Sequence, residues 1–499
     1  MKSTPLLLIV AVVVGTVLRC YQASESLWLD ELHTSWTVSG SLTEVYERAA
    51  IGNQSPLYFW LVWLFTFLPG PAEIVLRLPS LLAGCSLPVA VFWLTRKFVS
   101  AASDEEDDTA PLLAAWLTVV DPLAIAYSQE ARPYALLMLL AVVHIGLLLN
   151  VLAQANWPAR IAWIITGALL VHLHYTAGLL LVAEVVALAM ISYAYAPAQR
   201  REFLLQRGMD LLLMCLLIVP ALPGIATVAA RKGNWETFVA RPEALDLFSL
   251  FPWTIAAVVL IVANGWRQVV SQRSLIVLSC WLFVPLIVAW TATRFGWVAI
   301  FYPRYLLFAV PPTLVMAALC SSLTKNVNWQ PAVIGVLLAI AVGNSGLIQN
   351  LRATGRPLPG RNEDWRAAVA ELNEQLKTSP APVLVRSGLI EADELPARED
   401  SLFLQYCLLP VRGIYRANFA DDQLFPLPTK NPGQLSAKAR SALVAKGEAW
   451  LLIRTTSATK KQQLLAQIGE SLGPKYRIET DEPKTWGGVF LQRVRVREK

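Results

Sequence analysis

The chain has 499 residues, of which 55% are hydrophobic and 16% charged, with 18 Trp and a mean hydropathy of +0.49. Soluble globular chains carry about 25% charged residues, so this composition excludes an ordinary soluble enzyme and indicates a membrane protein. The net charge of +6 is unevenly placed: residues 1–349 hold 19 Lys+Arg against 19 Asp+Glu, whereas 350–499 hold 23 against 17. A basic tail of this kind fits a soluble domain beside anionic headgroups better than a nucleic-acid binder.

In chain order, the first apolar run covers 4–20. It reads as a retained span rather than a cleaved signal peptide, because Arg19, Cys20 and Tyr21 do not form a small-residue cleavage site. The stretch ESLWLDELHTSW at 25–36 follows and sets two adjacent acids, Asp30 and Glu31, just beyond the span, with Glu44, Glu47 and Arg48 further along the same loop. Charges placed against Trp28, Leu29 and Trp36 are costly unless used or paired.

The run 55–68 is apolar and aromatic but only 14 residues long, which predicts an interfacial helix. Runs long enough for about 30 Å of hydrocarbon follow at 78–97, 110–127, 133–153, 160–174, 177–195, 209–228, 247–265, 274–292, 304–323 and 331–349. With 4–20 they make eleven expected spans. The acidic loop AASDEEDDT at 101–109 reads as a solvated connector. After 349 the pattern changes to a helix at 363–377, strands near 382–387, 449–455 and 488–496, and a helix near 459–472. The expected organisation is a transmembrane domain, 1–349, including the outer loop 21–77, followed by a small α/β domain, 350–499.

Positive charges do not orient the chain, since the inner loops hold 10 of the 19 basic residues of the first part. Convergence does: with the N-terminus inside and 55–68 not crossing, the loops carrying Asp30-Glu31, Glu130-Arg132, His174-Tyr175, Arg231-Lys232 and Arg294-Arg304 all open outward. Cysteines at 20, 85, 215, 280, 320 and 407 show no CxxC or metal-ligand spacing. Cys407 alone lies in the tail, so no disulfide forms within that domain.

The Trp-Leu-Asp-Glu element after the first span resembles the first outer loop of lipid-linked sugar transferases. YSQEARPYALL (127–137), HLHYTAGLLL (172–181), FYPRYLLFAVPP (301–312) and EDWRAAVAEL (363–372) follow in the order shown by the bacterial protein mannosyltransferase and aminoarabinose transferase group, the family 39 branch of the GT-C superfamily. The resemblance implies a polytopic α-helical membrane fold with about eleven transmembrane helices, and a donor that is a polyprenyl-phosphate sugar. It also implies Asp30 as general base. Glu31 then positions the acceptor or Asp30, the bland reading of the pair being a dipole partner at a helix N-terminus.

A reaction of this class must take a proton from the acceptor and stabilise a departing phosphate, tasks for carboxylate and guanidinium. Arg132, beside Glu130, and Arg304, beside Tyr305, are the phosphate candidates; their plainer readings are a local Glu-Arg corner and a snorkelling arginine. His174 and Tyr175 are placed to touch donor sugar or phosphate, although His172-x-His174 reads first as a packed core element, since i and i+2 do not share a helix face. Arg77 has the same outward location and a weaker claim. His33, two residues from Glu31, suits a weak divalent-metal site or a simple surface histidine; no cofactor is otherwise expected. Asp121, before Pro122, either lines the cavity or marks a helix kink, and Glu184 is an intramembrane acid whose partner the sequence does not name.

No GxGxxG, Walker or DxD element is present, which argues against a soluble nucleotide donor. Gln54-Ser55-Pro56 stands where a His-Pro-Pro element belongs, and the β-trefoil of the eukaryotic protein mannosyltransferases is missing; both departures argue against a protein-serine acceptor. The alternatives are a lipid or solute transporter and a non-catalytic envelope-binding membrane protein. The expected location is a bacterial cytoplasmic membrane, with site and tail outside and an acceptor that the sequence does not specify.

Overall fold

The computed structural model describes residues 4–100, 107–154, 156–234, 239–398, 400–431, 433–455 and 457–499. Most of the acidic loop expected at 101–109 lies outside these residues, while its last part ties down through Arg96 and Asp108, 3.2 Å apart. The chain packs as two units, Met1–Ala23 with Arg77–Pro359, and Ser24–Leu76 with Gly360–Lys499. The outer loop thus packs with the tail residues, a different division from the 1–349 and 350–499 expected. The reason is local: the loop forms helices whose apolar faces need cover, and His33 and Trp36 find it against Tyr406, with ring centroids 5.6 Å away in both cases.

The first unit is helical, and every one of the eleven expected spans falls on helical structure. Among the described residues, six helices are long and apolar enough to cross a membrane by length and composition. Two more of the expected spans fall on bent helix pairs, Thr109–Val120 with Pro122–Ser128 (58°) and Gln330–Asn344 with Leu347–Thr354 (45°), each a broken span or a re-entrant loop. The remaining three, Thr4–Cys20, Trp157–Leu173 and Thr254–Trp266, are shorter; 17 residues at 1.5 Å each reach only about 25 Å.

The first bend has a chemical cause. Pro122 cannot donate to the helix before it, and Asp121, buried at the break, accepts from the Ala124 N–H at 2.8 Å to start the next helix. This is the kink reading of Asp121. Two buried charged groups of the unit find polar partners, as hydrocarbon surroundings favour. Arg19 donates to the Thr118 carbonyl at 2.9 Å, and Glu184 acquires the partner the sequence did not name, His144 Nε2 at 2.8 Å.

In the second unit, a six-stranded sheet comprises β1 (Val383–Arg386), β2 (Leu424–Pro426), β3 (Glu448–Arg454), β4 (Tyr476–Thr480), β5 (Lys484–Trp486) and β6 (Val489–Glu498). The order is β2-β1-β3-β6-β4, with β5 also on β6; β1 pairs parallel with β2 and β3, and the pairs made by β6 are antiparallel. Leu384, Leu451, Ile453 and Val494 face a core shared with Leu443, Leu464 and Ile468 of two helices, Ala437–Lys446 and Ala458–Leu472. Their neighbours Val383, Val385 and Leu452 alternate to the other face and are equally buried.

The helix Trp365–Thr378 packs on β5 and β6, burying Trp365, Ala368, Val369, Leu372 and Leu376 at helical spacing. The outer loop adds three helices, Leu29–Val38, Leu42–Ile51 and Pro56–Phe65. The last has 10 residues, about 15 Å long, and so falls well short of a bilayer core. Its Trp60 and Trp63 indoles donate to the carbonyls of Leu42 (3.2 Å) and Gly40 (2.9 Å), folding it back on its predecessor.

Candidate functional site

Asp30 and Glu31 occupy the first turn of the helix Leu29–Val38, where the positive end of the helix dipole favours carboxylates. One residue apart, they point about 100° from each other, and their surroundings differ accordingly. Glu31 is fully buried; its Oε2 accepts from Arg361 Nη1 at 2.8 Å and from the Trp28 N–H at 3.3 Å. Asp30 is only partly buried. Arg361, with its Nε 4.0 Å from Glu25, therefore faces two acids of the loop.

Glu363 holds the same turn. Its Oε2 accepts from the Leu29 N–H at 3.2 Å and the Trp365 indole at 2.8 Å, while Oε1 accepts from Arg454 at 2.7 Å. Glu363 is itself fixed by an antiparallel bridge to Gly487, which has φ +62°; a Cβ there would strike the Asn362 carbonyl. Neither Arg361 nor Glu363 was assigned a role from sequence. The available signal was the cluster Arg361-Asn362-Glu363-Asp364 leading the EDWRAAVAEL stretch.

Two tyrosines surround the acid turn as donors. Tyr406, wholly buried, donates to Glu391 Oε2 at 3.1 Å, and burial followed by the Glu391 charge keeps its hydroxyl protonated far beyond the ordinary range. Tyr415 donates to Glu73 at 3.0 Å and accepts from the Leu27 N–H at 2.9 Å; burial pushes its pKa up to about 12. His33, expected at the surface or on a metal, is instead buried. Its Nε2–H points at the Arg48 carbonyl, 3.4 Å away, and its ring packs edge-on to Phe59 at 5.4 Å. Among the described residues, no group of three or more His, Cys, Asp or Glu is placed to hold a metal ion.

In the first unit, a second group gathers residues from three separate helix ends. Arg132, buried after the helix Pro122–Ser128, has its carbonyl held by Ser80 Oγ at 2.8 Å and its N–H donating to the Glu130 carbonyl at 2.7 Å. Arg304 lies over the rings of Tyr302 (5.6 Å) and Tyr305 (5.4 Å) in a single helical turn, Pro303–Tyr305. His174, at the end of Trp157–Leu173, lies within Coulombic reach of both arginines, and its ring sits 5.6 Å from Tyr134 and 6.2 Å from Tyr305. Thr176 spends its one hydroxyl proton on the Tyr305 carbonyl at 2.6 Å, so His174 Nδ1 donates to Thr176 Oγ1 at 2.7 Å.

Arg132, Arg304, His174 and Tyr305 are thus brought together, with Glu130 at the Arg132 turn. Tyr175 directs its hydroxyl at Gly224, where a Cβ would collide with it. Arg77 is fully buried and donates to the carbonyls of Ala23 (2.8 Å) and Gln22 (3.5 Å).

No protein-family model matches the chain, and no curated protein matches it in sequence. Solved structures do. ArnT from Cupriavidus metallidurans bound to undecaprenyl phosphate superposes with a TM-score of 0.54 at 12% identity, over 98% of this chain and 97% of that one. The Archaeoglobus fulgidus oligosaccharyltransferase in complex with Zn and sulfate gives 0.53 at 12% identity, over 97% of this chain and 72% of that one. AglB from the same organism, with an inhibitory peptide and a dolichol-phosphate, gives 0.50 at 12% identity, over 97% and 73%. The fold is therefore of GT-C type, with a helical first unit and a second unit that contains a small sheet. The likeness is shared between ArnT and AglB, so it is one of fold and does not single out the family 39 branch.

Proposed function

We propose that this protein is a membrane-embedded, inverting glycosyltransferase of family 39 type, which moves a sugar from a polyprenyl-phosphate donor to an extracytoplasmic acceptor. The observation that carries this reading is the asymmetry of the acid pair: Glu31 is buried and held by Arg361, while Asp30 keeps partial access on the same dipole-favoured turn. The fold supports it, because solved structures with this fold hold undecaprenyl phosphate and dolichol-phosphate.

Asp30 is assigned as general base, taking the acceptor proton while the anomeric bond to phosphate breaks from the opposite face. The phosphate leaves as an anion and needs no acid. Arg132 and Arg304 are assigned to it, since planar guanidinium donors match phosphate oxygens, with His174 and Tyr305 in the same group and Glu130 in the Arg132 turn. Arg77 and Tyr175, engaged with backbone and with Gly224, are assigned to holding the helices around that cluster. Glu31 positions Asp30 or the acceptor, with Arg361 fixing its carboxylate. The membrane is proposed to be a bacterial cytoplasmic membrane with this chemistry outside.

The test is turnover of a polyprenyl-phosphate sugar by the reconstituted protein. Asp30→Asn keeps the shape and removes the base, so the rate is expected to fall by ~10²–10⁴-fold with donor binding unchanged, and the parent's product should show inverted anomeric configuration. Full activity of Asp30→Asn, or a retained configuration, overturns the mechanism.

A further inference from the structure

The helices that meet at the Arg132–His174 group have a second, differently built end. Trp157–Leu173 runs from His174 back to Trp157, and Gly178–Ser192 runs on to Tyr193. At that far end, Asp210 is 1% exposed and binds two arginines, Arg160 (Nη2 at 2.6 Å) and Arg207 (Nη1 at 3.1 Å). Seven residues before Arg207 on the same helix, Arg200 donates to the carbonyls of Ser192 (3.1 Å), Tyr193 (3.2 Å) and Tyr195 (3.3 Å). Arg273, from the start of Gln272–Arg294, lies over the Tyr195 ring at 5.1 Å, and Arg201 is exposed beside Arg200. Of these five arginines, Arg160 and Arg207 share the Asp210 carboxylate, and Glu202 nearby accepts from Gln206, so among the described residues the group carries a surplus of positive charge.

The aromatic setting is equally specific. Trp157 is 64% and Tyr193 74% exposed, with Arg160 over the first ring at 4.5 Å and Arg200 over the second at 4.8 Å. Tyr195 stacks on Phe203 at 5.1 Å. Exposed Trp and Tyr at one end of apolar helices mark the headgroup layer, and Pro197–Ala230, which carries three of these arginines, has only 11% of its apolar window buried. The surface therefore faces lipid, with a surplus of guanidinium at headgroup depth.

We propose that this end of the bundle is a binding site for an anionic phospholipid: its phosphate would be held by Arg200, Arg201 and Arg273, with Arg160, Asp210 and Arg207 fixing the helices behind them. Basic pockets between transmembrane helices take anionic headgroups by this chemistry. The site is separate from the donor cluster and does not depend on the proposed transfer reaction.

The experiment is native mass spectrometry of the purified full chain after exchange into micelles offering phosphatidylglycerol and phosphatidylcholine in equal amounts. The parent is expected to retain phosphatidylglycerol preferentially. Arg201→Gln with Arg273→Gln, two exposed positions, should lower that preference by about tenfold or more, at about fivefold per arginine, while the corresponding double Lys variant keeps most of it. A parent without preference, or a double Gln variant with the parent's preference, overturns the site. Should the Gln variant fail to fold, the parent itself decides: the preference is expected to shrink several-fold between low and 0.5 M salt, and a salt-independent preference also overturns the site.

Discussion

Asp30 and Glu31 show how much one position along a helix changes the chemistry of a carboxylate. Glu31 is enclosed and depends on Arg361, so removing the arginine leaves a buried charge unpaired, a loss of about 3–5 kcal/mol. Arg361→Ala should therefore lower the unfolding midpoint sharply, and adding Glu31→Gln should restore part of it. Strict additivity of the two in a double-mutant cycle would deny the coupling. In turnover assays Glu31→Gln is expected to raise acceptor KM more than it lowers kcat. At the donor cluster, Arg132→Ala and Arg304→Ala should each weaken binding of a polyprenyl-phosphate sugar by ~1.5–3 kcal/mol, with Lys restoring only part. Unchanged donor affinity in both variants would reassign the phosphate elsewhere.

Among the elements, the helix bearing the acid pair is held from the tail side of its unit by the Glu363 carboxylate and the Tyr415 hydroxyl. Glu363 stands where it does because Gly487 adopts a left-handed φ of +62° and lets the β5–β6 turn approach Asn362. Gly487→Ala adds both a strained φ and a clash, so a loss of about 1–3 kcal/mol is expected, read as a lower thermal midpoint. Tyr415→Phe removes two buried hydrogen bonds, at about 1 kcal/mol each, and has a pH signature as well. With a folded pKa of about 12, above the unfolded value, the native state holds this proton longer. The resulting stability is complete below about pH 10 and is lost as pH rises through 12. The stability gap between parent and Tyr415→Phe should therefore narrow across that window, and a constant gap would contradict the assignment.

At the level of the whole molecule, the proposed orientation puts residues 350–499 and the acid loop outside the cell membrane. A cysteine at the exposed position Gly360 should react with an impermeant thiol reagent in intact cells, and protection there would reverse the orientation. The 10-residue helix Pro56–Phe65 is consistent with a segment lying along a surface, since its length of about 15 Å cannot bridge hydrocarbon.

The sequence by itself determined the helical spans, because each needed only a continuous apolar run. It also marked the strands near 382–387, 449–455 and 488–496 and the helices at 363–377 and 459–472, because alternation and helical spacing are local signals, but not the helix Ala437–Lys446. The short strands Leu424–Pro426, Tyr476–Thr480 and Lys484–Trp486 escaped it: three to five residues carry too little pattern, and their identity comes from the neighbours they pair with. Likewise, the sequence marked Asp30 and Glu31 as an acid pair but did not reveal Arg361, 330 residues away, as the partner of one of them. Nor did it show that His33 is packed among aromatic rings, or that Glu184 meets His144. Those outcomes rest on long-range contacts, and only the tertiary structure decided them. A buried charge must find its partner wherever packing brings one, and nothing in the residue's own neighbourhood records where that is.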